Sequence, residues 1–229
     1  MTDILSAHTL FELLTENLSA NLLFSTALCT ILCILLPYLL GSVNFALVIS
    51  KIFYKDDIRK YGSGNAGMTN MLRTYGKGAA LFTLLCDMLK AVLSVWFGIF
   101  VFGILGGYIA GLFCIIGHSF PIYFKFKGGK GVATTAAMIL TLDPICFCAL
   151  FVLFIFIVLL TRYVSLGSIM CMLLYPILTY RLSTWNSGFP VLISFFVAAF
   201  VIFMHRENIV RLLNHSENKI SFSKNKDKK

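Results

Sequence analysis

Acidic side chains are scarce in this chain, with 10 Asp and Glu in 229 residues, and charged residues of either sign make up only 13% of it. A GxxxxGK[ST] segment occurs nowhere, which weighs against nucleotide hydrolysis on a P-loop. None of the seven cysteines pairs with a histidine at metal-ligand spacing. Cys29, Cys33, Cys86, Cys114, Cys146, Cys148 and Cys171 all lie in apolar runs and read as small buried hydrophobes. Neither a zinc site nor a disulfide framework is indicated. No internal repeat or low-complexity core is visible.

What the chain has in abundance is apolar surface: 59% of its residues are hydrophobic and the mean hydropathy is +0.87. A soluble domain cannot bury that much, so the medium is lipid. The stretch from Asn21 to Leu40 carries no charge and spans about 30 Å as a helix, the thickness of a bilayer core. Comparable runs follow at 79–103, 104–122, 144–161, 163–180 and 188–204, and 132–142 is about half a span. The expected fold is therefore an all-α integral membrane protein with seven transmembrane helices. The first run lacks a basic flank, and Gly41-Ser42-Val43-Asn44 is a poor cleavage site, so it is read as a retained span. Three parts result: a leader at 1–20, a membrane domain at 21–217 and a basic tail at 218–229. In the leader, Ile4, Leu5, Leu10, Phe11, Leu14 and Leu18 suit one face of an interfacial helix, with a loose polar leader as the alternative.

With seven spans, the connections on one side and the C-terminal tail hold all of the 19 basic residues except Lys90 and Arg181. The positive-inside bias makes that side cytoplasmic, with the N-terminus outside and the C-terminus inside. The net charge of +9 then sits mainly on one face, where it sets topology and meets anionic headgroups, so no nucleic-acid partner is called for.

Three stretches on that face contain more than topology needs. In Tyr61 to Arg73, Gly62, Gly64 and Gly67 allow backbone N–H groups to converge, while Ser63, Asn65, Thr69 and Asn70 add donors. Arg73 adds a fork suited to phosphate, and a helix starting near Thr69 adds a favourable dipole. In KFKGGKGVAT, residues 125–134, Gly128, Gly129 and Gly131 surround Lys130 just before a helix, a repeatable way to hold a phosphate. At the end of the last span, His205 and Asn208 share a helix face, with Arg211 a turn further on, and Ser165 starts a span on the same side. Two phosphate-suited loops at a lipid boundary suggest chemistry joining a phosphorylated polar substrate to an acyl chain. Within a span, Asp87 and Lys90 at i, i+3 read as a mutually neutralising pair that fixes packing.

GSGNAGMTNMLR, FKGGKGVAT and HRENIVRLL, in this order, resemble the motifs of the PlsY family, bacterial membrane glycerol-3-phosphate acyltransferases that use acyl phosphate as donor. The likeness runs from Leu39 to Glu217 and includes LLGS, Asp87-Met-Leu-Lys90, Gly117-His118-Ser-Phe-Pro121 and Arg162-Tyr-Val-Ser-Leu166. It implies a seven-helix, N-out monomer in the bacterial inner membrane, with its site on the cytoplasmic face and no metal or cofactor. Acyl phosphate and glycerol 3-phosphate would give 1-acyl-glycerol 3-phosphate (lysophosphatidic acid) and inorganic phosphate. The family's phosphate and catalytic residues match Ser63, Arg73, Lys130, Ser165, His205 and Asn208. Where the family has a proline and a glycine after LLGS, this chain has Asn44 and Ala46; His215 replaces a glycine, which leaves the role of Glu217 open.

Acyl phosphate is already activated, so direct attack by the glycerol hydroxyl needs only positioning and charge stabilisation. The proton acceptor is His205 or a substrate phosphate oxygen; Ser63 is a hydrogen-bond donor or, as an alternative, a nucleophile. A transporter for anionic metabolites is the main rival, against which stand the few polar residues within the spans and the missing inverted repeat. An HxxxxD acyltransferase is excluded, because none of the four histidines has an aspartate five residues on. A membrane scaffold with headgroup-binding loops leaves the placed glycines without a reason.

Overall fold

A computed structural model describes residues 9–17, 21–183 and 188–220, and no strand occurs among them. The tail from 221 on, and Ile4, Leu5 and Leu18 of the leader, lie outside the described residues. The chain divides into two compact units, Met1–Pro144 and Ile145–Lys229.

The first unit is assembled from α1 (Leu10–Glu12), α2 (Leu22–Gly41), α3 (Phe45–Phe53), α4 (Met68–Tyr75), α5 (Lys77–Ser119) and α6 (Val132–Leu142). The long α5 is two antiparallel arms. Phe102 and Gly103 leave helical geometry, and Gly103 takes φ +60°, a conformation cheap only for glycine. The arms then meet along their length: Gly98 against Gly106, Val95 against Gly111, and Lys90 against His118. The expected boundary between the runs 79–103 and 104–122 coincides with this reversal.

Small residues make the packing possible. A Cβ on Gly98 would stand 2.2 Å from the Gly106 carbonyl oxygen, and one on Gly41 would stand 2.3 Å from that of Cys114. Among lipid chains apolar burial gives helices little reason to associate, so close backbone approach supplies the dispersion contact instead. On the second arm of α5, Gly117 accepts α2 at Tyr38, and Gly111 accepts α6 at Met138. The Tyr38 hydroxyl donates to the Phe120 carbonyl at 3.0 Å, and the Tyr108 hydroxyl donates to Asp143 at the end of α6.

The described part of the leader opens with a capping box, in which Thr9 Oγ1 accepts the Glu12 amide and the Glu12 carboxylate accepts the Thr9 amide. Leu10, Phe11 and Leu14 pack on Cys29, Cys33 and Val101, beside the Phe102 reversal. These three residues of the expected apolar face are thus turned onto α2 and the first arm of α5.

The second unit contains α7 (Pro144–Thr161), α8 (Val164–Leu182), α9 (Gly188–Met204) and α10 (Arg206–Leu213). Helices α7 and α8 are antiparallel, with Gly167 against Phe154 and Val158, and the Cys171 thiol on the Leu150 carbonyl at 3.2 Å. α9 packs on α8, and α10 departs from α9 at 59°. By length and composition, four described apolar segments suffice to cross a membrane, or five with the bent pair α9 and α10. The segment Lys77–Phe124 among them is the two-armed α5 with the turn that follows.

Candidate active site

In the first unit both glycine segments gather at one end of the helices. Residues 61–67 enter α4, whose N-cap is Gly67, so the helix begins at Met68 beside the expected Thr69. Asn70 shapes this loop from within. Its Oδ1 accepts the Ser63 amide at 3.0 Å, and its Nδ2 donates to the Ile58 and Tyr61 carbonyls at 3.1 and 2.9 Å. Expected as a phosphate donor, Asn70 is instead buried and fully engaged by the loop. Gly62, at φ +57°, passes so close that a Cβ would stand 2.2 Å from Asn70 Oδ1.

The idea that the glycine amides converge on a ligand also needs correction. The Gly64 and Gly67 amides donate to the Tyr61 and Asn65 carbonyls, and those of Gly128 and Gly129 donate to Ser119 and His118. The glycines bring the turns close to their supports. The helix starts at Met68 on α4 and Val132 on α6 follow the N-caps Gly67 and Gly131, which make no side-chain capping bond, so their first-turn amides lack intrahelical partners and suit an anion. Ser63 and Thr69 are half-buried, Asn65 and Lys130 likewise, and Arg73 is exposed on α4.

The two loops are joined. A Cβ on Gly129 would lie 2.1 Å from His118 Nε2 and 2.8 Å from the Ala66 carbonyl, so Gly129 packs directly between them. Arg59 donates from one guanidinium nitrogen to the Phe124 and Lys127 carbonyls at 3.1 and 3.0 Å, tying the 3-10 turn Ile58–Lys60 before loop one to the turn before loop two. Asp57 in turn holds Arg59 at 2.6 Å, and Arg59 keeps the Asp57 carboxyl below its usual range. The Tyr61 hydroxyl and the Lys60 ammonium hold Asp56 down at about 2. Beneath this, Lys90 Nζ donates to the Gly41 and Val43 carbonyls at 2.9 and 2.7 Å and pairs with Asp87 at 2.8 Å and His118 Nδ1 at 3.1 Å. The expected Asp87–Lys90 pair is present, and it also pins the end of α2. Arg59 and the His118 ring were not assigned roles from sequence; the GHSFP motif was the only signal for the latter.

In the second unit, His205 sits in the bend between α9 and α10. Its amide turns to the Ile202 carbonyl at 2.9 Å, and its Nδ1 caps the Val201 carbonyl at 2.7 Å. A carbonyl only accepts, so Nδ1 carries the proton and Nε2 bears the lone pair of the neutral ring. Glu217 ties three partners together: Ser165 Oγ at 3.0 Å, Asn208 Nδ2 at 2.8 Å and Arg211 Nε at 2.9 Å. Burial pushes the Glu217 carboxyl up, but these hydrogen bonds, Arg211 foremost, push harder and leave it below the usual glutamate range. Its place is reached through His215, which takes φ +51° in a Schellman turn: the His215 amide donates to Leu212 and the Ser216 amide to Arg211. The departure from glycine at His215 thus keeps the left-handed turn a glycine would make.

The comparisons with known proteins agree with one another. The family model described as Glycerol-3-phosphate acyltransferase matches residues 31–215. A glycerol-3-phosphate acyltransferase of Syntrophomonas wolfei is 44% identical over 187 residues, covering 81% of this chain and 94% of the relative. One of Thermoanaerobacter pseudethanolicus is 40% identical over 185 residues, covering 81% and 92%. A crystal structure of PlsY, an integral membrane glycerol 3-phosphate acyltransferase, in its glycerol 3-phosphate form, superposes with TM-score 0.78 at 33% identity, covering 84% of this chain and 96% of that one. Its lysophosphatidic acid form superposes with TM-score 0.76 at 32% identity, covering 84% and 95%.

Proposed function

Because the chain belongs to the glycerol-3-phosphate acyltransferase family, we propose that it transfers the acyl group of an acyl phosphate to the 1-hydroxyl of glycerol 3-phosphate. The products are 1-acyl-glycerol 3-phosphate and inorganic phosphate. The observation that carries this reading is the union of two glycine loops in the first unit, with Lys130 just before the start of α6 and Arg73 in the last turn of α4. That arrangement suits phosphate and contains no nucleotide loop.

In the reaction the glycerol hydroxyl oxygen bonds to the acyl carbon, and the bond from that carbon to the phosphate oxygen breaks. The electron pair leaves with phosphate, and the hydroxyl proton goes to His205 Nε2 or to the phosphate itself. Lys130 and Arg73 offset the charge that grows on the leaving group. Ser63, Asn65 and Thr69 donate hydrogen bonds to substrate, while in the second unit Glu217 takes the single O–H of Ser165 and one N–H of Asn208 and fixes both side chains. No acyl-enzyme is required, because the mixed anhydride is already activated.

The chain is a multi-pass integral membrane protein. We propose seven crossings, by α2, the two arms of α5, α6, α7, α8 and α9, with the N-terminus outside and the glycine loops on the cytoplasmic side of a bacterial inner membrane. The acting species is a monomer that meets its acyl substrate in the membrane. The donor assignment is tested by supplying purified protein in lipid with glycerol 3-phosphate and either palmitoyl phosphate, palmitoyl-CoA or palmitoyl-acyl carrier protein. Lysophosphatidic acid is expected with palmitoyl phosphate alone; formation from the thioesters at a comparable rate would overturn the donor.

A further inference from the structure

Asn44 lies in the break between α2 and α3 and is completely buried. Its Oδ1 accepts the Leu47 amide at 3.1 Å as the N-cap of α3. Its Nδ2 donates to the Ala66 carbonyl at 3.1 Å and reaches the His118 carbonyl at 3.5 Å. These two acceptors belong to the two halves of the phosphate site. Ala66 is the buried centre of the first glycine loop, and the His118 carbonyl also receives the Gly129 amide at 3.1 Å. The Ala66 carbonyl is also the atom against which Gly129 packs. One side-chain amide thus stands where both loops touch, with one acceptor for the helix start and two N–H groups for the two carbonyls.

We propose that Asn44 is a positioning residue that sets the spacing of the two glycine loops and through it the affinity for the phosphate of glycerol 3-phosphate. The inference rests on the reading that these loops hold that phosphate. Without the Nδ2 donor, the Ala66 carbonyl is left buried without its side-chain partner, and the first loop moves to find another. The first loop, and α4 that follows it, then no longer stand at the same distance from Gly129 and the Lys130 loop. Binding suffers more than the chemical step, since Asn44 touches only the backbone of the loops and of α3.

The test uses full-length protein in lipid with two variants. Asn44→Ser keeps a capping oxygen but is too short to donate to both carbonyls; Asn44→Asp keeps the size and the cap and removes the donors. The KM for glycerol 3-phosphate is expected to rise roughly five- to tenfold in both, with kcat within about threefold. A lower Tm with unchanged KM would reduce Asn44 to a helix cap and overturn the proposal. Should neither variant fold, hydrogen exchange on the wild type decides. Glycerol 3-phosphate must then protect residues 62–67 and 128–131 together, and protection of one segment alone counts against the coupling. Wild-type protein that binds glycerol 3-phosphate but turns over no acyl phosphate would overturn the donor instead, and the Asn44 comparison is then read as a dissociation constant.

Discussion

Replacing Glu217 by glutamine changes one oxygen to an amide and leaves size and shape in place. Oε1 accepts from Ser165 and Asn208 while Oε2 accepts from Arg211. A glutamine can satisfy one side only: with its oxygen toward Ser165 and Asn208, its NH2 faces the Arg211 donor. The loss is one hydrogen bond to a charged group, about 1.5–3 kcal/mol for a well-buried case. Arg211 is 31% exposed, which places the figure at the lower end, about 1.5 kcal/mol. For a chain of this size that is a fall in Tm of roughly 3–6 °C near neutral pH. The pH dependence fixes the sign. Glu217 has its pKa lowered by folding, so its contribution is fully present above the unfolded value of ~4.3 and is lost as pH falls through the folded value. Thermal unfolding of wild type and Glu217→Gln in detergent, from pH 7 down to about 3, should show a gap that narrows in acid. Equal Tm values at neutral pH, or a gap that stays constant on acidification, would refute the role given to this carboxylate.

Gly129→Ala places a methyl group 2.1 Å from His118 Nε2 and 2.8 Å from the Ala66 carbonyl, where neither the pinned ring nor the backbone gives way easily. Overpacking of this kind costs about 1–3 kcal/mol; a fall in Tm together with at least a tenfold loss of kcat/KM is expected in a coupled thermal and phosphate-release assay. His215→Gly should work the other way. Relief of the left-handed strain at φ +51°, partly offset by added freedom of the unfolded chain, predicts about 0.5–1 kcal/mol of gain. A Tm higher by roughly 1–4 °C with unchanged activity is the expected result.

The helices were legible because lipid demands long charge-free runs. Asn21 to Leu40 became α2, starting at Leu22, and the run 144–161 became α7. Even the reversal at Gly103 left a mark, since no other residue adopts that angle as cheaply. The helix α3 was not anticipated, because its nine residues are too few for a span and follow directly on the break at Ser42–Asn44. Within the loops, the directions of side chains were not legible. Asn70 has the chemistry of a phosphate donor, yet its amide points into the loop, a choice made by three backbone groups that only the folded turn brings together. The bond from Glu217 to Ser165 joins residues 52 apart and has no local signature. Lys90 read correctly as half of an ion pair, but its grip on the Gly41 and Val43 carbonyls depends on how α5 passes the end of α2.

The union of two glycine loops into one phosphate site is tested most directly by equilibrium binding of labelled glycerol 3-phosphate to the purified protein and to Lys130→Ala. Loss of a charge-assisted contact predicts affinity lower by about 10- to 100-fold in a variant whose Tm is unchanged. Equal affinity in the two proteins would put the phosphate somewhere else.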